Sequence, residues 1–228
     1  MWVSANEGDG KGPELESHAA PGQEDTFLGT ASTGLTFTLT RLIALGEKCR
    51  PVCIGMTWRR LIAAGIVREW KPKLEEVFRE ADQFGVAVVG GVERNAMEAQ
   101  IVHQTGRWIV ATDCSNAFNT AKRTAILAQT AQSIPGLVPY TARCYDEIPA
   151  KAIYEMDSGE RRTIECKSGV QQGDGMGPPP FCLALVPIVS KLKSKYEPKG
   201  VRITACMDDI NLNFKEINEE SMQPRRRA

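Results

Sequence analysis

Apolar positions recur along this chain with two different periods. In TWRRLIAAGIVREWKPKLEEVFREAD, residues 57–82, they return every three to four positions, which predicts an amphipathic helix broken at Pro72. RNAMEAQIVHQTG (94–106) repeats that spacing, and further helices are expected from about 120 to Ser133, stopped by Pro135, over VPYTARCYDEI (138–148) and over FCLALVPIVSKLKSKY (181–196). Elsewhere the period is two. RWIVATD (107–113) predicts a strand. KAIYEM and RRTIECK flank DSGE and predict a hairpin. VRITACM and INLNF are two strands joined by Asp208 and Asp209, with Val201, Ile203, Ala205 and Met207 on one face of the first and Ile210, Leu212 and Phe214 on one face of the second. TFTLTRLIALG fits helix or strand, and GVAVVGG a short strand or a turn.

The ends carry neither period. Residues 1–33 are rich in Gly, Glu, Asp, Ser and Pro, and the last residues read EESMQPRRRA, so both ends, 1–33 and 217–228, are expected to be disordered tails. The whole chain is 42% hydrophobic, enough for one substantial core or two small ones between those ends. Lys+Arg and Asp+Glu both number 28, a balance that speaks against a simple DNA-coating protein, for which neutralised phosphates supply much of the affinity. The seven cysteines (49, 53, 114, 144, 166, 182 and 206) form no disulfide framework, and no leader pattern or membrane-length apolar run is present. Together these predict a reduced, intracellular setting without a membrane partner.

Candidate chemistry enters with three carboxylates. Asp113 ends one predicted strand, and Asp208 and Asp209 sit at the tip of a hairpin 95 residues on (208 − 113). If the strands adjoin, the acids crowd one sheet edge, where each raises the pKa of the others unless a cation intervenes. Magnesium takes hard oxygen ligands of this kind and keeps positions for water and phosphate oxygens. Separately, each feature has a plainer explanation: Asp-Asp suits a tight turn, and Asp113 suits a helix cap. SGVQQGDGMGPPPFCLAL (168–185) reads as a glycine loop feeding an apolar helix; its glycines lack the strand and acidic residue of a dinucleotide cradle.

In order and approximate spacing, TDCSNAFN, SGVQQGDGMGPPPFCLAL and CMDD resemble the reverse transcriptases of non-LTR retrotransposons. Upstream, RPVCIGMTWRRLIA and FGVAVVGG…AMEAQIVHQ look like that family's fingers region, so the resemblance covers about residues 48–215. It implies an α+β fold: a right-hand polymerase palm, an antiparallel sheet backed by helices, over 107–216, with partial helical fingers over 34–106. Asp113, Asp208 and Asp209 would hold two Mg2+ ions. Phe118 would pack against the sugar of the incoming nucleotide and exclude a 2′-hydroxyl, although a Phe there also suits a helical core position. Gln172 and Gly173 would lie along template and nucleotide, as Arg59 and Arg60 would along phosphates; a surface loop and a solvated helix face are the alternatives. RNA template, DNA primer and deoxynucleoside triphosphates would be the partners, and the nucleus the place of action.

The sequence departs from the family pattern at Cys206, where an aromatic is usual, at Gly175-Met176 in place of Pro-Leu, and at Pro179 and Pro180 in place of leucines. The prolines predict a helix start shifted to Phe181. With the acidic hairpin close to the last residue, a palm-and-fingers fragment without a thumb is expected. The alternative to an active enzyme is then a truncated retroelement remnant that at most binds nucleic acid.

Overall fold

The computed structural model describes residues 39–45, 50–145 and 150–214. Both expected tails, Cys49 and the PRRR stretch lie outside the described residues. Among the described residues, seven strands form two sheets whose membership ignores chain order. The first contains β1 (Leu39–Leu45), β2 (Arg50–Gly55), β4 (Ala150–Glu155) and β5 (Arg161–Cys166), in the order β2-β1-β4-β5. The second contains β3 (Trp108–Thr112), β6 (Arg202–Cys206) and β7 (Asp209–Phe214), in the order β3-β7-β6, antiparallel throughout. The ambiguous stretch TFTLTRLIALG thus contains a strand, and β1 pairs in parallel with β4, Leu39 opposite Lys151. The 150–166 hairpin, expected within the palm, therefore shares a sheet with β1 and β2, and a cut at residue 106 does not separate the two sheets.

Helix α1 (Thr57–Glu80) turns Arg59, Ala63, Leu74 and Phe78 inward, a stripe at helical spacing. It runs through Pro72 instead of breaking there. The proline and Arg68, whose carbonyl loses its i+4 donor, both face solvent, where water replaces the missing bond. Gly136 lies against Trp70 of the same helix, so close that a Cβ would come within 2.2 Å of the indole. Three further helices, α2 (Gly91–Gln104), α4 (Arg123–Ser133) and α5 (Val138–Tyr145), and the single turn α3 (Ala117–Thr120) precede α6 (Pro178–Tyr196). The helix expected from about 120 to Ser133 is α4, which begins at Arg123, and α3 is a separate turn before it.

Helix α6 begins at Pro178, not at Phe181. Its three prolines occupy the first three helical positions, whose N–H groups have no partner within a helix in any case. The first intrahelical bond runs from the Phe181 N–H to the Gly177 carbonyl, 3.3 Å. The helix then closes two cores. Phe181 and Leu183 join Leu74, Phe78, Ile126 and Leu137 in the larger one. Val189 meets Val201, Ile203, Ala205 and Ile210, the apolar face predicted for the hairpin. Among the described residues no helix is long and apolar enough to cross a membrane.

Candidate active site

Strand pairing brings the three acids together. Thr112 on β3 pairs with Ile210 on β7, and the Thr112 hydroxyl donates to the Ile210 carbonyl at 3.0 Å. The next residue along β3 is Asp113, and the preceding one on β7 is Asp209. Cys206 pairs with Asp209, leaving Met207 and Asp208 as a two-residue turn. Met207 takes the left-handed φ of 57°, uncommon for a side chain of its size. Asp113, Asp208 and Asp209 then line one cleft of about 560 Å³ with Arg50, Asn119 and Gln172.

Three carboxylates sharing one cleft act on one another. Burial raises the Asp208 carboxyl above the usual range, the carboxylates of Asp209 and Asp113 push it further, and Arg50 opposes them. The neighbouring Cys206 thiol is also raised, first by burial, then by Asp209 and Asp208. A cation in the cleft would relieve this repulsion, and an all-oxygen donor set suits a hard divalent ion. The spacing is open: among the described residues no three His, Cys, Asp or Glu side chains stand close enough together to hold an ion by themselves. Ions bound here would draw their remaining ligands from water and substrate oxygens, as magnesium commonly does.

Gln172 reaches the cleft because its loop is pinned to β2. The Cys53 N–H donates to the Gln172 carbonyl at 2.7 Å, and Gly173, at φ 89°, lies so close that a Cβ would stand 2.7 Å from the Cys53 carbonyl oxygen. Gln171 turns the other way; its buried amide donates to Thr40 Oγ1 at 3.1 Å and to Cys166 Sγ at 3.6 Å.

Three sequence expectations are redirected. Arg59 does not face phosphates. Its side chain is fully buried, with Nη2 2.5 Å from Asp174 Oδ2. The Tyr145 hydroxyl donates to the same carboxylate, and the Met176 N–H donates to its other oxygen at 3.2 Å. A buried guanidinium requires such a partner, and Asp174 supplies it from the glycine loop. Arg60 is exposed but lines a separate cavity of about 690 Å³ beside the first sheet, with Arg41, Glu155 and Arg161. The Phe118 ring is stacked on Phe181 in the core, centroids 4.3 Å apart, and is not among the residues lining the acidic cleft. Its neighbour Asn119 is, held by a 2.6 Å bond from Nδ2 to Asn116 Oδ1. Arg50 lines the cleft without a signal in the sequence: it opens RPVCIG, and nothing in that string distinguishes it from any other strand-edge arginine.

The two sheets, the helices behind them and the acidic turn define a right-hand polymerase fold. The chain is similar to solved telomerases, which are reverse transcriptases. It matches apo telomerase of Candida tropicalis truncated from its C-terminal domain at 13% identity and a TM-score of 0.59, over 82% of this chain and 45% of that one. Against apo telomerase of the same organism the identity is 11% and the TM-score 0.56, over 86% and 41%. Telomerase of Candida albicans in complex with the TWJ fragment of telomeric RNA matches at 10% and 0.54, over 78% and 38%. The chain thus spans less than half the length of these structures. No protein-family model and no curated protein matches it. What the likeness establishes is a reverse-transcriptase-like polymerase fold.

Proposed function

We propose that this chain is the fingers and palm of a reverse transcriptase of the non-LTR retrotransposon kind, extending a DNA primer on an RNA template. The observation that carries this reading is the register of β3 on β7, which sets Asp113 beside the Asp208-Asp209 turn in one cleft of a right-hand polymerase fold. Asp113, Asp208 and Asp209 are the residues that would hold two Mg2+ ions. When bound, such ions supply Lewis acidity toward the primer 3′-hydroxyl and toward the leaving pyrophosphate. The chain's own groups do the rest. Arg50 presents a guanidinium to the triphosphate. Gln172 offers an amide to the template-nucleotide pair. Asn116 and Asn119 line the same cleft. Sugar discrimination by Phe118 would operate through the placement of Asn119 and Ala117, since its ring lies in the core.

A second reading, a non-catalytic remnant that binds nucleic acid, is favoured by the open spacing of the acids. Primer extension by the full chain on an RNA template, with magnesium and deoxynucleotides, separates the two. Extension that disappears in Asp208→Ala supports the polymerase. Extension that survives in that variant refutes the assignment of the acids. Template binding without extension in the parent chain favours the remnant.

A further inference from the structure

The turn that carries Asp208 is held from outside its own hairpin. Residues 82–84, between α1 and α2, lie parallel to β6: the Ala205 N–H donates to the Asp82 carbonyl at 2.8 Å, and the Phe84 N–H donates to the Ala205 carbonyl at 2.7 Å. Between them Gln83, 1% exposed, continues the ladder past the point where β6 ends. Its side-chain amide binds both backbone polar groups of Met207. Nε2 donates to the Met207 carbonyl at 2.9 Å, and Oε1 accepts from the Met207 N–H at 2.7 Å. Oε1 also accepts from the Gly85 N–H at 3.1 Å, so the amide itself is locked.

The surroundings leave this clamp little freedom. A Cβ on Gly85 would stand 2.4 Å from the Met207 nitrogen, so only glycine admits the approach. Asp82, itself at φ 53°, accepts from Arg202 Nη1 at 3.0 Å and Nη2 at 2.6 Å, and from Lys193 on α6. Arg202 reaches on to Glu98 of α2 at 3.2 Å. Met207 holds a left-handed backbone that is disfavoured for a residue with a Cβ, and such a conformation persists where neighbours over-determine it.

We propose that Gln83 is a positioning residue for Asp208: by binding both backbone polar groups of Met207, it fixes the strained turn so that the adjacent carboxylate projects into the cleft. The inference rests on the reading of that cleft as a divalent-cation site. A side chain 124 residues away thus completes the site from the fingers side.

The test uses the full chain with Mn2+ as the probe, its affinity read by electron paramagnetic resonance, and backbone exchange at Met207 read by hydrogen exchange. Gln83→Met keeps length and removes both bonds. It should fold, speed Met207 exchange while the β6–β7 ladder stays protected, and bind Mn2+ about tenfold more weakly, as loss of an outer partner of a metal ligand commonly does. Ile126→Val, in the other core, serves as the destabilised control and should leave Mn2+ affinity unchanged. Unchanged Met207 exchange in Gln83→Met overturns the clamp. Faster exchange with unchanged Mn2+ affinity, where Asp208→Ala does lose affinity, overturns the positioning role alone. Parental Mn2+ affinity in Asp208→Ala overturns the cation site and the positioning role with it. If Gln83→Met fails to fold, Gln83→Ala, which also removes both bonds and leaves room for water on the Met207 backbone, is read by the same criteria.

Discussion

Arg59 and Asp174, 115 residues apart, form an ion pair at 2.5 Å with both side chains withdrawn from solvent. It ties the first turn of α1 to the loop that presents Gln172. Removing one partner of such a pair strands the other charge, whereas removing both with apolar replacement is often nearly neutral. Asp174→Ala is therefore expected to cost about 3–5 kcal/mol. Arg59→Met combined with Asp174→Leu should recover much of that loss. Urea denaturation of the two variants checks this; equal losses would show that the pair contributes beyond mutual neutralisation.

Alkaline pH should unfold the protein through groups the core keeps protonated. Burial pushes the Cys144 thiol up to about 11, and it pushes the Tyr145 hydroxyl and the Cys182 thiol well up too. The sign follows from proton binding. With folded values above the unfolded ones, stability is fully present below the unfolded thiol value of 9.0 and is lost as pH rises toward the folded value. Denaturation midpoints should hold to pH 9 and fall between 9 and 11, with a slope of about 1.4 kcal/mol per pH unit for each group in its window. Cys144→Ala should flatten that slope; an unchanged slope would remove Cys144 from the account.

Two glycines should respond oppositely to alanine. At Gly65 on the exposed side of α1, a Cβ meets nothing within 4 Å, so Gly65→Ala should stabilise by roughly 0.5–1 kcal/mol through helix propensity. At Gly85 the Cβ collides with the Met207 backbone, and Gly85→Ala should destabilise by about 1–3 kcal/mol. Thermal unfolding of the pair reads both signs in one assay.

Arg50 should act on the nucleotide more than on the fold. It is exposed at the start of β2 and faces the acids. Arg50→Gln is expected to leave the melting temperature within about 2 °C, because surface substitutions rarely exceed ~0.5 kcal/mol. The same change should raise the KM for deoxynucleotide about tenfold or more, the loss of one charge-assisted phosphate contact. An unaltered KM would place the triphosphate elsewhere.

Sequence alone determined the parts written in short range. Strand β3 running up to Asp113, a hairpin with Asp208 in its turn, and the apolar face of that hairpin all follow from period-two alternation and turn chemistry, which residues within a few positions enforce. The tertiary structure decided the rest. That Arg59 lies inside and Arg60 outside, that the 150–166 hairpin joins β1, that Phe118 stacks in the core and that Gln83 grips Met207 are set by contacts between residues far apart in the chain. A polar or charged side chain carries no local mark of the partner that will satisfy it. Its burial depends on whether packing brings the complementary group within bonding reach, and only the assembled backbone settles that.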